Sequence, residues 1–127
     1  MSAQLELIRP LAGLVGTRYA VDEVDAGLCT LRSEDADADA PVRLFVVAGS
    51  ALPAYQPELD DEQIEELELS APDDAELYVV VNPAEAGPTL NLLAPIVVNR
   101  HTRRGAQLVL DAGRWPLRAA LGDVLAG

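Results

Sequence analysis

The sequence of 127 residues contains no lysine, one cysteine, one histidine and only five aromatic residues. A lone cysteine excludes an internal disulfide and leaves a structural zinc site without most of its ligands, so we expect Cys29 to be a small buried hydrophobe. No apolar run approaches the roughly 20 residues of a membrane span, and no basic and apolar leader opens the chain. We therefore expect a cytoplasmic protein that does not associate with membranes.

Acidic residues dominate the charge, because 21 Asp and Glu stand against nine Arg and give a formal net charge of −12. Such a chain repels phosphate backbones, so we expect no direct binding of nucleic acid. A basic protein partner is the natural complement, although net charge alone can also serve solubility. The length predicts one domain, residues 1–127, which we expect to be monomeric on its own.

Templates for catalysis and cofactor binding find no match in the sequence. There is no G-x-S-x-G elbow, no phosphate-binding loop and no paired-histidine spacing. The acids Asp35, Asp37 and Asp39 alternate as calcium ligands do, but the central glycine and the terminal glutamate of an EF-hand are missing. We expect no catalytic residue, no cofactor and no metal, and we interpret residues 33–40 as a solvated loop.

Most of the chain is predicted to form β-strands. Residues 5–8, followed by Pro10, indicate a short edge strand. Residues 42–48 are almost continuously apolar, which is typical of a central strand. Helical spacing after Trp115 predicts a C-terminal helix. Further strands are predicted at residues 15–24, 27–32 and 77–81, with Gly27 in a turn.

One short acidic helix is predicted between residues 60 and 69. Asp60 can cap its first N–H groups, Gln63 completes a capping box, and Leu59 with Ile64 supplies a hydrophobic staple. Ile64 and Leu67, with Leu69 as a further candidate, form a narrow apolar stripe. We therefore expect Glu65, Glu66 and Glu68 to face solvent.

Residues 91–110, NLLAPIVVNRHTRRGAQLVL, predict a β-hairpin. An apolar run at 92–98 and a second at 106–110 flank a polar turn. We expect Gly105 to close the turn with a positive φ, and Thr102 and Asn99 to bond the turn backbone. For the basic cluster at 100–104, an exposed polar tip and a role in ion pairing or partner contact both stay open.

The same stretch resembles the FliW family of bacterial flagellar assembly factors, which is marked by N-L-x-A-P-I-x-[IVL]-N followed by T-[RK]-x-G-x-Q. A second block, P-x-Y-x-P-E-L at residues 53–59, resembles the family segment that precedes a short acidic helix. The resemblance runs from about residue 42 to residue 117. The marked positions are Asn91, Leu92, Ala94, Pro95, Ile96, Asn99, Thr102, Arg103, Gly105 and Gln107.

The resemblance implies a mainly β fold, a coiled antiparallel sheet approaching a barrel, with one short acidic helix and a possible C-terminal helix. It also implies a protein that binds flagellin and, by contact, antagonises the translational regulator CsrA, with the two partners excluding each other. A flagellin-binding chaperone without CsrA antagonism, and a small acidic enzyme or metal-binding domain of the same fold, stay open as alternatives. The partner-binding candidates are Glu58, Asp61, Glu62, Glu65, Glu66, Asn91, Leu92, Asn99, Arg103 and Arg104, with Thr102 and Gly105 as structural turn residues.

Overall fold

The computed structural model describes residues 2–11, 16–34, 43–111 and 113–122. Within these ranges β-strands dominate, joined by one short α-helix and two single-turn 3₁₀ helices, so the predicted mainly β fold is confirmed. The helix α1 is Asp61–Glu66, and the 3₁₀ helices are Gly49–Ala51 and Pro72–Asp74. The strands are β1 (Ser2–Leu7), β2 (Arg18–Asp25), β3 (Leu28–Ser33), β4 (Arg43–Ala48), β5 (Ala75–Asn82), β6 (Thr89–Leu90), β7 (Ile96–Asn99), β8 (Arg104–Gln107) and β9 (Ala119–Ala120).

Seven of these strands form a closed, barrel-like sheet. Their order is β4, β3, β2, β1, β8, β7, β5, and β5 returns to pair with β4. All neighbours in this ring run antiparallel except β1 and β8, which run parallel. The short strands β6 and β9 pair with each other, and β6 also pairs with β5. The predicted approach to a barrel is confirmed.

The first strand is not the edge strand that the sequence predicted. β1 pairs with β2 on one side and with β8 on the other, where Leu7 lies opposite Gly105. The prediction rested on Pro10, which lacks the N–H that a ladder needs, but the strand ends at Leu7 before the proline is reached. The second partner lies far along the chain, so no local pattern indicates it.

The barrel interior is filled by side chains from alternate strand positions, among them the fully buried Tyr19 and Leu31. Val98 of β7 belongs to this interior cluster, whereas its neighbour Val97 packs on the outer side against Leu67. Both valines have no exposed surface. Because β7 is buried on both faces, its sequence is apolar without alternation.

The predicted central position of β4 is confirmed, since it lies between β3 and β5. Val46 is buried in the barrel interior and Val47 in an outer cluster, but Phe45 is 48% exposed, so the strand is only partly covered on its outer side. Cys29 lies in β3 opposite Val46 and is buried, as predicted. Burial raises the pKa of the Cys29 thiol, and the nearby Glu23 raises it further.

After Trp115 the chain is irregular, with bends, until a two-residue strand begins at Ala119, so the helix predicted there is wrong for residues 115–120. Ala119–Ala120 form β9, the Leu92 N–H donates to the Pro116 carbonyl at 3.1 Å, and the Trp115 ring meets Tyr55 edge to face at 4.8 Å. These contacts hold the segment on the outer cluster. The backbone becomes helical at residues 121–122. Residues 123–127, like residues 35–42 of the predicted loop and following strand, lie outside the described ranges.

Candidate protein-binding surface

The helix α1 begins at the predicted capping box but ends earlier than predicted. Asp60 Oδ1 accepts the Gln63 N–H at 2.7 Å, and Gln63 Oε1 accepts the Asp60 N–H at 3.0 Å. At the other end Glu68 adopts a positive φ of 56°. The Leu69 N–H then donates to the Ile64 carbonyl at 3.0 Å, a bond that closes a helix in the Schellman arrangement.

Acidic side chains cover the solvent side of α1 and the turns around it. Residues 58–76 contain ten Asp and Glu and no arginine. Asp61, Glu62 and Glu65 are exposed, and among the described residues none of the three forms an ion pair. We call the acids Glu58, Asp61, Glu62, Glu65 and Glu66 the acidic surface.

Two members of the acidic surface approach arginines. Glu66 Oε1 lies 2.9 Å from Arg9 Nη1, and Glu58 Oε2 lies 3.7 Å from Arg114 Nη1. All four side chains are at least 39% exposed, so each pair contributes at most about 1 kcal/mol. The acidic surface therefore keeps most of its negative potential.

Asn99, at the end of β7, ties the hairpin to the end of α1. Its Nδ2 donates to the carbonyls of Leu67 and Glu68 at 2.9 and 3.2 Å, and its Oδ1 accepts the N–H groups of His101 and Thr102 at 2.8 and 3.3 Å. Carbonyls at a helix end lack helical partners, and the amide satisfies them. The predicted bond to the turn is confirmed. The side chain is 3% exposed, which argues against direct contact with a partner.

The turn between β7 and β8 has its positive φ at Arg103 (62°), and the prediction that Gly105 closes it is wrong. Gly105 lies inside β8, where an added Cβ would stand 2.5 Å from the Val97 carbonyl oxygen. Glycine is needed there for the close approach of two backbones. Thr102 Oγ1 accepts the Arg104 N–H at 3.2 Å, which confirms its predicted turn role.

Arg103 forms an intramolecular ion pair. Its Nη1 donates to Glu76 Oε2 at 3.0 Å and its Nε donates to the Gln4 carbonyl at 3.0 Å. The Tyr78 hydroxyl donates to the same Glu76 oxygen at 3.1 Å, and both burial and Glu76 raise the pKa of Tyr78. Of the roles left open for the basic cluster, ion pairing is therefore confirmed for Arg103. Arg104 is exposed, and partner contact stays a prediction for it.

Asp74 fixes the chain between α1 and β5. Its Oδ2 accepts the N–H groups of Ser70 and Ala71, each at 3.0 Å, and its Oδ1 lies 2.8 Å from Nε2 of His101. The hydrogen bond from His101 lowers the pKa of Asp74, and the backbone bonds lower it further. The carboxylate is therefore held ionised while it organises this turn.

An apolar groove of about 500 Å³ lies beside the acidic surface. Ile64 lines it and is 36% exposed, although the sequence predicted a buried position on the stripe with Leu67. Leu67 is 3% exposed and packs against Val97 in a second outer cluster, so α1 buries only the Leu67 end of the apolar stripe. The groove is lined mainly by Pro57, Leu59, Ile64, Leu69, Pro72 and Leu77, and Glu58 is the charged residue of the lining.

Asn91 and Leu92 lie before β7 and make contacts within the fold. Leu92 is 6% exposed, and its carbonyl accepts the Tyr55 hydroxyl at 2.6 Å. Asn91 Oδ1 accepts the Ala94 N–H at 3.1 Å, and the Ala94 carbonyl accepts Gln107 Nε2 at 3.2 Å. These bonds hold the approach to the hairpin, and the burial of Leu92 argues against direct partner contact.

The predicted site residues thus form two groups, the acidic surface and the hairpin, which Asn99 joins. The groove was not predicted from the sequence, because it depends on how α1 and the turns around it fold against β5 within residues 57–77. The pairing of Asp74 with His101 was not predicted either. The lone histidine was the one signal for that pair. Within the described ranges, no group of three or more His, Cys, Asp or Glu is placed to hold a metal ion, and no helix has the length and apolarity to cross a membrane.

Known proteins match this chain over most of its length, including the residues described above. A family model described as "FliW protein" matches residues 2–121. Flagellar assembly factor FliW of Syntrophus aciditrophicus (strain SB) is 44% identical over 79 residues, which cover 58% of this chain and 49% of that protein. Its counterpart from Desulfitobacterium hafniense (strain DSM 10664 / DCB-2) is 39% identical over 80 residues, which cover 61% and 53%. The match spans about half the length of these curated relatives. A crystal structure of the flagellar assembly factor FliW matches with a TM-score of 0.79 and 26% identity, covering 93% of this chain and 84% of that chain.

Proposed function

This chain belongs to the FliW family of flagellar assembly factors, and we propose that it binds flagellin in the cytoplasm and antagonises a CsrA-type translational regulator. Both activities are protein–protein contacts, without catalysis and without a cofactor. The observation that carries the proposal is the family match over residues 2–121, which includes the acidic surface, the groove and the hairpin.

In this proposal flagellin and the regulator exclude each other. The free protein holds the regulator away from the flagellin message. Accumulating flagellin then occupies the protein, and the released regulator represses translation. Flagellin production is thereby linked to the amount of flagellin that has not yet left the cell, through the relative affinities of two partners for one protein.

The acidic surface supports the regulator as the partner that is steered by charge. Asp61, Glu62 and Glu65 are exposed and lack ion pairs within the described ranges. Regulators of the CsrA type carry basic RNA-contacting surfaces, as the family resemblance implies, so opposite potentials would raise the association rate. The same negative field disfavours direct contact with RNA.

Isothermal titration calorimetry with purified flagellin and with the CsrA homologue of the same genome tests the proposal. We expect saturable, stoichiometric heat with each partner, and loss of the second heat once the first partner is bound. Absence of heat with flagellin at high micromolar concentration would refute flagellin binding. Heat with flagellin alone would reduce the function to a flagellin-binding chaperone, and metal-dependent hydrolysis would favour the enzyme alternative.

A further inference from the structure

We infer that the apolar groove beside the acidic surface is a docking site for an amphipathic helix of a partner protein, with an aliphatic stripe flanked by lysine or arginine. The inference rests on the proposed function, because it gives the protein-binding role a location. The volume of the groove, about 500 Å³, lies within the range of roughly 300 to 1,000 Å³ that is usual for binding pockets.

The apolar character of the groove is carried by a residue that the fold leaves uncovered. Ile64 is 36% exposed on α1, where the other outward positions, Glu62 and Glu65, are acidic. Leu59 and Leu69 lie on the same lining and are only partly buried. Contact between exposed aliphatic side chains and an apolar partner removes them from water, which is favourable.

The hydrogen bonds that the backbone makes at residues 69–71 of the groove favour a helix over an extended strand as occupant. The N–H groups of Ser70 and Ala71 both donate to the Asp74 carboxylate, and the Leu69 N–H donates to the Ile64 carbonyl. The β5 residues of the lining pair with β7. A strand would need free backbone groups to extend the sheet, whereas a helix satisfies its own and contributes side chains at i, i+3, i+4 and i+7.

The charge around the groove favours a basic occupant. Ten acids and no arginine occur in residues 58–76, and Glu58 itself lines the groove. Asp61 and Glu65 add exposed carboxylates on α1. Lysine or arginine beside the aliphatic stripe would meet these acids, whereas glutamate there would be repelled.

Fluorescence anisotropy with the full chain and labelled peptides tests the inference. The probe is an 18-residue leucine–lysine peptide with leucines at helical stripe positions, and its matched controls are a scrambled peptide of the same composition and a leucine–glutamate peptide of the same pattern. We expect saturable binding of the probe, and affinity lower by at least about tenfold for both controls, a difference of about 1.4 kcal/mol. Equal binding of the probe and the scrambled peptide would overturn the inference.

Variants locate the binding. Ile64→Asp should weaken binding of the probe by at least about tenfold. Val109→Asp, at a 71% exposed aliphatic outside the groove lining, should change it by less than about twofold. Ala71→Asp, an exposed lining position, provides a second groove variant if Ile64→Asp fails to fold by its melting curve. Equal losses at the groove and at Val109 would contradict docking in the groove.

The same variants separate this inference from the proposed function. Capture of flagellin and of the CsrA homologue by folded Ile64→Asp as tightly as by the unaltered chain would overturn the groove while leaving the proposed function intact. Conversely, the unaltered chain could capture neither protein and still bind the probe, with that binding lost in Ile64→Asp. This result would refute the proposed function and support docking in the groove.

Discussion

Replacement of Asn99 by alanine should destabilise the fold strongly, because one buried amide makes four hydrogen bonds. Two of these bonds satisfy the Leu67 and Glu68 carbonyls at the end of α1, and two accept N–H groups of the hairpin turn. Asn99→Ala removes all four, and it leaves the backbone groups to find water at a site where the side chain was 3% exposed.

The expected cost follows from that count. A net value of about 1 kcal/mol for each bond gives about 4 kcal/mol as an upper figure, and rehydration of the more exposed turn groups lowers it to about 2 kcal/mol. For a chain of this length, about 4 °C of melting temperature corresponds to each kcal/mol, so the midpoint should fall by about 8 to 16 °C.

Asn99→Asp separates the two functions of the amide. The carboxylate can still accept the turn N–H groups, but it faces the Leu67 and Glu68 carbonyls without a donor. The pKa of the introduced carboxyl group should therefore be raised in the folded state. A carboxyl group whose pKa is raised by folding destabilises the fold at any pH above its pKa in the unfolded chain. The difference in unfolding free energy between the unaltered chain and Asn99→Asp should therefore grow as the pH rises from acid to neutral.

Urea unfolding followed by circular dichroism measures these differences at constant m-value. The control is Asn82→Ala, an exposed asparagine at the end of β5 that makes no side-chain hydrogen bond within the described ranges; its change should stay within about 0.5 kcal/mol. If Asn99→Ala matched that control, the bridge between hairpin and helix would contribute nothing to stability, and the reasoning would be refuted.

Three further predictions address backbone packing, pH and charge. Gly105→Ala should cost about 1 to 3 kcal/mol because its Cβ would meet the Val97 carbonyl, whereas Gly122→Ala, with open space around it, should be nearly neutral in the same urea series; equal values would show that the strands can move apart. Because the fold lowers the pKa of Asp74, the unaltered protein should be more stable than Asp74→Asn at neutral pH. This difference in unfolding free energy should disappear as the pH falls below 3.8, the ordinary pKa of an aspartate. Unfolding curves between pH 2 and 7 would detect or refute it. Reversing Glu62 and Glu65 to lysine should slow association with the CsrA homologue in stopped flow, as should added salt, and should affect flagellin less. An unchanged rate at low salt would make the acidic surface a solubilising one.

The features that were predicted from sequence are those fixed by residues close together in the chain. The capping box needs only Asp60 and Gln63, and the Gly27 turn needs one glycine between two strands, where φ is 75°. The two-sided burial of β7 is likewise visible in an uninterrupted apolar run. The acidic surface could be predicted because the capping box marks the start of the helix and its glutamates lie off the apolar stripe.

The features that were missed depend on partners that local sequence does not name. Gly105 was placed in the turn because glycine often supplies positive φ there, but its constraint is the Val97 carbonyl on the opposite strand. Ile64 was assigned to an apolar stripe with Leu67, but it lines the groove and is 36% exposed. The first error concerns a contact between two strands, and the second concerns which end of a short helix the fold covers.

The parallel pairing of β1 with β8 fixes the order in which this barrel can be completed during synthesis. The first strand of the chain acquires its second neighbour only when residues 104 and 105 have emerged, opposite Glu6 and Leu7. Until then β1 is an open edge that can pair with other chains, and the seam has the high contact order that slows folding. Residues 104 and 105 must therefore leave the ribosome before this seam of the sheet can close.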